Sequence, residues 1–295
     1  MPAFDLALGL RMVGCSIEAN GPEFDGMQDY GAHLVVDALL DAMVNMDLSR
    51  KAIFVAFHDV IPGTTYVKPG ESWSPDLRRA FDRTMEEVRA IIEERRVSPR
   101  SDFISDLVNA RDQGDKLNDG ELFDQIFGIC GASLSATSRA VGGALYLLYT
   151  HPEQLEQLIG NPELIPDAIE ECLRLGSNGY FTFPRIAVRD TEVGGTPILK
   201  GMVVRPSPLA PKYDPDVFPD PTRFDIYRKP KRILSFGAGP HHCIGNILGR
   251  TTIIIAIRRL LTRFPKAHPI DPGLTPVYGG AVGELRLQIL PMTTH

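Results

Sequence analysis

Phe236-Gly237-Ala238-Gly239-Pro240-His241-His242-Cys243-Ile244-Gly245 decides how this 295-residue chain is read. A glycine-rich loop delivers one cysteine, and an apolar helical run, Asn246 to Phe264, starts directly after it. The sulfur therefore stands at a helix N-terminus, where unpaired backbone N–H groups and the positive end of the dipole suit an anionic ligand. Gly239 permits a turn that a Cβ would obstruct, and Gly245 lets a flat group come close to the helix. Phe236 is placed to shield the sulfur from water. A shielded sulfur with an open approach is what haem iron requires of a cysteine ligand.

Other chemistries fit these residues less well. A structural zinc site needs closely spaced ligand pairs, whereas Cys15, Cys130 and Cys172 are far apart and none forms a C-x-x-C pair. A hydrolytic cysteine needs a histidine aligned for proton transfer, which an immediate chain neighbour rarely is. No Lys-Ser/Thr follows the glycines, so the loop is not a phosphate cradle.

The pattern Phe-x-x-Gly-x-His-x-Cys-x-Gly, at Phe236, Gly239, His241, Cys243 and Gly245, resembles the haem-binding loop of the cytochrome P450 family. The resemblance implies haem b, with Cys243 as axial thiolate and His241 at a haem propionate. Phe183-Pro184-Arg185-Ile186-Ala187 is similar to the family strand whose arginine binds a propionate, which makes Arg185 a second anion-binding candidate. Glu171 and Arg174 are three apart and share a helix face. Their spacing matches the family's Glu-x-x-Arg, which implies a buried structural ion pair completed by an arginine of a later meander. Arg223, in Phe218-Pro219-Asp220-Pro221-Thr222-Arg223-Phe224, fits that third place.

Composition agrees with a globular chain that buries a large core: 43% of residues are hydrophobic and 23% charged. A net charge of −6 argues against a general nucleic-acid binder. Four scattered cysteines suit a reducing compartment. Residues 1–19 lack a basic segment followed by a long apolar one, and the apolar run Ile253 to Ile257 is too short to cross a bilayer. A cytoplasmic protein of the bacterial soluble type, without a membrane anchor, is expected.

Along the chain, residues 1–73 match the family poorly and 74–295 run in register with it. His33 to Met46 reads as an amphipathic helix, and Ala52 to Phe57 extends it or forms a short strand. Ile61 to Pro75, rich in proline and glycine, reads as a loop. Ser74-Pro75-Asp76 starts a helix whose apolar positions recur up to Arg96. A short helix covers Phe103 to Ala110. A long one covers Gly120 to Tyr149, about 45 Å at 1.5 Å per residue. Another helix begins at Pro152, Thr191 to Ser207 reads as short strands, and Thr275 to Pro291 as a terminal hairpin. The expected architecture is a single domain over 1–295, mainly α with small β-sheets: a cytochrome P450-like helical fold lacking the family's N-terminal portion. Lost sheet strands leave an open edge, so a homodimer is expected. A fragment of a longer chain is an alternative account of the length.

The long helix also departs from the family pattern. Its Ala-Gly-x-acid-Thr falls on Ala132-Ser133-Leu134-Ser135-Ala136, so the acid becomes Ser135 and the following alcohol Ala136. The resemblance gives these positions proton delivery to iron-bound dioxygen. Ser135, or Thr137 beyond it, could orient water instead. The resemblance thus implies a haem-thiolate monooxygenase that inserts oxygen into a small apolar molecule. Its electrons would come from a ferredoxin-type donor docking at the basic run Arg228, Lys229, Lys231 and Arg232. The rival expectations are a catalytically weakened haem-binding partner protein and a peroxide-driven haem oxidase.

Overall fold

The structure, a computed structural model, describes residues 17, 21–42, 45, 48–60, 72–112, 117–176, 184–231, 233–271, 273, 278–279, 286–287 and 289–294. Its helices are α1 (His33–Ala42), α2 (Lys51–Val60), α3 (Pro75–Val97), α4 (Phe103–Asp112), α5 (Asp119–Tyr149), α6 (Pro152–Gly160), α7 (Ile165–Gly176) and α8 (Asn246–Arg263). A π-helical segment, Gly26–Ala32, leads into α1. Among the described residues the strands are short: β1 (Glu23–Asp25), β2 (Arg185–Ile186), β3 (Thr191–Val193), β4 (Thr196–Ile198), β5 (Val203–Val204), β6 (His268–Pro269), β7 (Tyr278–Gly279), β8 (Arg286–Leu287) and β9 (Pro291–Thr293).

The rest of the molecule is built round α5. The Asn118 side chain accepts from the Glu121 N–H at 3.0 Å, and the Glu121 carboxylate accepts from the Asn118 N–H at 2.8 Å. This reciprocal cap satisfies two donors that a helix start leaves unpaired. Leu122, Ile126, Cys130, Leu134, Ser138, Val141, Leu145 and Leu148 then form one buried stripe, apolar but for Ser138, at spacings of three and four. Two adjacent glycines let neighbours approach to backbone distance. A Cβ on Gly142 would collide with Met27 Sδ of the π-helical segment. A Cβ on Gly143 would fall 2.8 Å from the Gly176 carbonyl oxygen, where α7 crosses. The π segment, α7 and α8 all pack on α5, and the Tyr30 hydroxyl donates to the Ala256 carbonyl of α8 at 2.5 Å.

α3 begins where its sequence signal stands: Ser74 Oγ accepts from the Leu77 N–H at 3.2 Å, Pro75 opens the first turn, and Arg95 and Arg96 close the last. The segment from Ala52 to Phe57 neither extends α1 nor forms a strand; it lies within a separate helix, α2. The loop expected over Ile61–Pro75 lies mostly outside the described residues. The hairpin expected near the C-terminus is present as β7 paired antiparallel with β8, and β9 continues into a three-stranded sheet of order β1-β9-β6.

The strand pairs β2–β5 and β3–β4 are two-stranded. Ile186 and Val203, direct cross-strand partners, are 68% and 61% exposed, so this small sheet turns apolar side chains to solvent. No described helix is long and apolar enough to cross a membrane.

Candidate functional site

Cys243 sits in the loop between a short 3-10 turn (Gly239–His241) and α8. Gly237 and Gly239 take φ of +70° and +73°, a backbone region that side chains with a Cβ rarely enter. The loop is closed by the Cys243 N–H, which donates to the Phe236 carbonyl at 2.9 Å. On its other side the Asn246 side-chain amide donates to the Cys243 carbonyl, also at 2.9 Å. Ser235 Oγ donates to the Leu173 carbonyl of α7 at 2.7 Å, which ties the loop's entry to that helix. Of the cysteines described, Cys243 is exposed whereas Cys130 and Cys172 are buried. Burial pushes the Cys130 thiol up to about 12, and burial together with the neighbouring Glu171 charge raises Cys172 further. Those two stay protonated packing residues. Among the described residues, no group of three or more His, Cys, Asp and Glu side chains is placed to hold a metal ion.

A second feature stands beside this loop. Arg174 forks onto Glu171 through Nε and Nη2, each at 2.7 Å, and both side chains are fully buried. The rest of the Arg174 guanidinium is spent on backbone: it donates to the carbonyls of Lys212 at 2.6 Å, Pro221 at 2.7 Å and Arg223 at 3.3 Å. The pair expected from the spacing is therefore formed, but its third member differs. Arg223 is exposed and contributes only its carbonyl. The cation that meets Glu171 is Arg228, with Nε 3.0 Å from Oε1. Arg228 also donates to the carbonyls of Pro219 at 2.6 Å, Asp220 at 3.1 Å and Arg223 at 3.1 Å. A turn opening at Asp220, whose φ is +48°, brings those carbonyls round to face one guanidinium.

This arrangement also corrects the basic docking run. Arg228 is drawn inward, and among the described residues of the run Lys229 and Lys231 are exposed, Lys229 with its Nζ 2.7 Å from Asp167. Arg232 lies outside the described residues. Lys212, buried beside Arg174, has its pKa pushed down to about 8, by burial first and then by the Arg174 charge.

The remaining predicted positions lie on three elements. His241 is exposed on the turn just before Cys243, and Arg185 is exposed on β2, in register with Val204. On α5, Gly128, Ala132 and Ala136 are exposed at four-residue intervals and form an open face along the middle of the helix. Ser135 borders that face. Thr137, two residues on and so about 200° round the axis, lies on another side. The geometry thus separates Ser135 from Thr137. Sequence reading missed what braces α5 from behind: the buried His58 Nε2 lies 2.8 Å from Ser138 Oγ, which donates to the Ser135 carbonyl at 3.2 Å. No local pattern joins residues 80 apart.

A family model for cytochrome P450 matches residues 24–272. The chain belongs to the cytochrome P450 family. The mycinamicin IV hydroxylase/epoxidase of Micromonospora griseorubida is 38% identical over 201 residues, covering 68% of this chain and 51% of that protein. The cytochrome P450 YjiB of Bacillus subtilis is 32% identical over 268 residues, covering 90% of this chain and 66% of that one. Among solved structures, the LnmA cytochrome P450 hydroxylase of the leinamycin pathway of Streptomyces atroolivaceus superposes with a TM-score of 0.85 at 28% identity, covering 98% of this chain and 74% of that one. The chain therefore spans about half to two thirds of the length of these curated relatives.

The residues of this P450 chain fit the family's haem. The donor is an exposed sulfur on a loop whose backbone is pinned on both sides. The glycines around it leave room: a Cβ on Gly239 would meet nothing within 4 Å, and one on Gly245 would meet only Cys243 Sγ at 3.9 Å. Ile244 and Ile247 are 86% and 61% exposed, so apolar surface lies uncovered beside the sulfur. On α5, a Cβ on Gly128 would likewise meet nothing within 4 Å. A sulfur donor, bare glycines and uncovered apolar side chains together suit a large flat apolar group carrying a metal.

Proposed function

We propose that this chain holds haem b through Cys243 Sγ and acts as a monooxygenase on a small apolar organic molecule. The observation that carries the proposal is the exposed cysteine on a pinned loop beside uncovered apolar surface. When bound, haem supplies the activation of oxygen for insertion into the substrate, the thiolate ligand favouring O–O cleavage. Around it, His241 and Arg185 supply the cationic and N–H groups that would grip the propionates. Phe236 keeps water from the sulfur. The Glu171, Arg174 and Arg228 cluster holds the meander that leads into the cysteine loop. Ser135, at the border of the open face of α5, orients water for proton delivery, and Thr137 takes no part in that role. A ferredoxin-type donor docks through Lys229, Lys231 and Arg232. A second copy of the chain covers the exposed strand pair β2–β5, and a monomer in sedimentation over a wide concentration range would remove that element.

The deciding experiment is an absorption spectrum of the reduced protein under carbon monoxide. The wild type gives a thiolate-type Soret band and Cys243→Ser does not; equal haem uptake and colour in both would sink the proposal. A second reading, a haem-binding relative with weakened dioxygen chemistry, is favoured by one feature. The open face of α5 offers Ser135 and Ala136 where the family pattern has an acid and an alcohol. Turnover with a reductase system against turnover with peroxide alone separates the two: product only with peroxide favours weakened dioxygen chemistry.

A further inference from the structure

We propose that Arg250 is a positioning residue for Cys243, acting together with Glu170 and Asn246; the proposal rests on the haem–thiolate reading above. Gly245, at the N-terminus of α8, provides no side-chain cap, so the cysteine's surroundings are held by other means. His242 Nδ1 lies 3.2 Å from its carbonyl, and two further residues hold its backbone from within reach of Arg250: Phe236 accepts from its N–H, and Asn246 donates to its carbonyl. Arg250 grips both of them. Its guanidinium carbon lies 4.3 Å from the centre of the Phe236 ring, and its Nη1 donates to Asn246 Oδ1 at 3.2 Å. Because Oδ1 of that amide is engaged by Arg250, the NH2 end is the one turned toward the Cys243 carbonyl. Gly249 of α8 lies beside the same ring, where a Cβ would stand 3.6 Å from it.

Glu170 fixes the guanidinium in its turn. Arg250 Nε lies 2.6 Å from Oε1 and Nη2 lies 3.2 Å from Oε2, a two-pronged contact that sets the plane of the fork. Arg250 and Glu170 are 29% and 24% exposed, so as an ion pair alone they would add little to stability. Their geometric effect is larger. With its plane set by a carboxylate on α7, the guanidinium can lie over Phe236 and reach Asn246 at once. α7 therefore braces the site through both carboxylates, Glu171 toward the meander and Glu170 toward the sulfur loop, beside the Leu173 carbonyl that accepts from Ser235. A lysine at 250 would keep the charge but could neither fork onto the carboxylate nor stack as a plane on the ring.

The test uses the full chain purified without haem and titrated with haem, in the wild type and in Arg250→Ala, Arg250→Lys, Glu170→Gln and Cys243→Ser. Far-UV circular dichroism monitors the fold of each. The expected result is haem affinity about 10- to 100-fold weaker in Arg250→Ala, the range found when outer partners of a metal ligand are removed. The thiolate-type band of the reduced carbon monoxide complex should give way in part to a thiol-type band. The midpoint potential of the loaded protein should move positive, as expected of a less firmly held anionic ligand. Arg250→Lys should follow Arg250→Ala, and Glu170→Gln should lie between them and the wild type. A band, affinity and potential unchanged in Arg250→Ala would overturn the proposal while leaving haem ligation by Cys243 standing. A wild type without a thiolate-type band would overturn both. If Arg250→Ala loses its helical signal, Asn246→Ala carries the same measurements: the same changes support the proposal, and wild-type values overturn it.

Discussion

Arg223 and Arg228 lie in one short segment, and only one of them closes the buried cluster, so methionine at each position gives a sharp comparison. Arg228 places Nε 3.0 Å from a Glu171 carboxylate that is fully buried. A hydrogen bond to a charged group contributes about 1.5–3 kcal/mol. Arg228 also holds three carbonyls at 2.6–3.1 Å, whose loss is softened because water can replace the guanidinium there. Arg228→Met is therefore expected to cost about 2–4 kcal/mol, consistent with removing one partner of a buried ion pair. Arg223 is exposed and offers the cluster only backbone, so Arg223→Met should stay within about 0.5 kcal/mol of the wild type. At about 2 °C per kcal/mol for a chain of this size, the Arg228 variant should melt about 4–8 °C lower. Thermal melts followed by far-UV circular dichroism, with urea unfolding alongside, read the difference directly. If Arg228→Met melted with the wild type, or both variants fell equally, the assignment of Arg228 as the third member would be refuted.

Three further outcomes are expected. Gly143→Ala puts a Cβ 2.8 Å from the Gly176 carbonyl, where backbone rather than a side chain must yield, so it should cost about 1–3 kcal/mol in urea unfolding; an unchanged midpoint would show that α5 and α7 can part without penalty. Lys212 has its pKa lowered to about 8 in the folded chain, so the unfolded chain holds its proton more tightly, and stability should rise with pH from about 8 up to the unfolded value near 10.5. The urea midpoint of Lys212→Met should lack that rise relative to the wild type, and parallel pH profiles would contradict the assignment. Under the monooxygenase proposal, Ser135→Asp combined with Ala136→Thr should raise the product formed per electron pair consumed; a ratio at or below that of the wild type would count against a proton-delivery role for this stretch of α5.

The elements legible in the sequence are those whose signal is local. The start of α3 was readable because Ser74 and Pro75 act within one turn, and α5 because its apolar stripe repeats over thirty-one residues. The cysteine loop was readable because its glycines, aromatic ring and sulfur lie within ten consecutive positions. What escaped was long-range. Nothing local says whether Arg223 or Arg228 meets Glu171, since either lies more than fifty residues away and the choice depends on how a turn at Asp220 folds. In the sequence the basic run reads as one docking face, because nothing local signals that Arg228 turns inward to Glu171. The Glu170–Arg250 contact and the His58–Ser138 contact each join residues 80 apart, and only the packing of helices reveals them. Ala52 to Phe57 was ambiguous because a short apolar run fits a strand or a helix, and packing inside α2 settles it.

Arg174 and Arg228 grasp the meander mostly by carbonyl oxygens, at Lys212, Pro219, Asp220, Pro221 and Arg223, and Arg174 also lies over the Phe218 ring, 5.1 Å from its centre. Every residue type offers a carbonyl, so the two arginines recognise mainly the path of the chain, and Phe218 is the position at which a particular side chain is also met. Outside Phe218, the letters that contribute only a carbonyl here are accordingly free to drift while the course of the chain is preserved. Two homologues could share few residues there and still present the same scaffold to the cysteine loop, provided that Glu171, its two guanidinium partners and the ring at 218 endure.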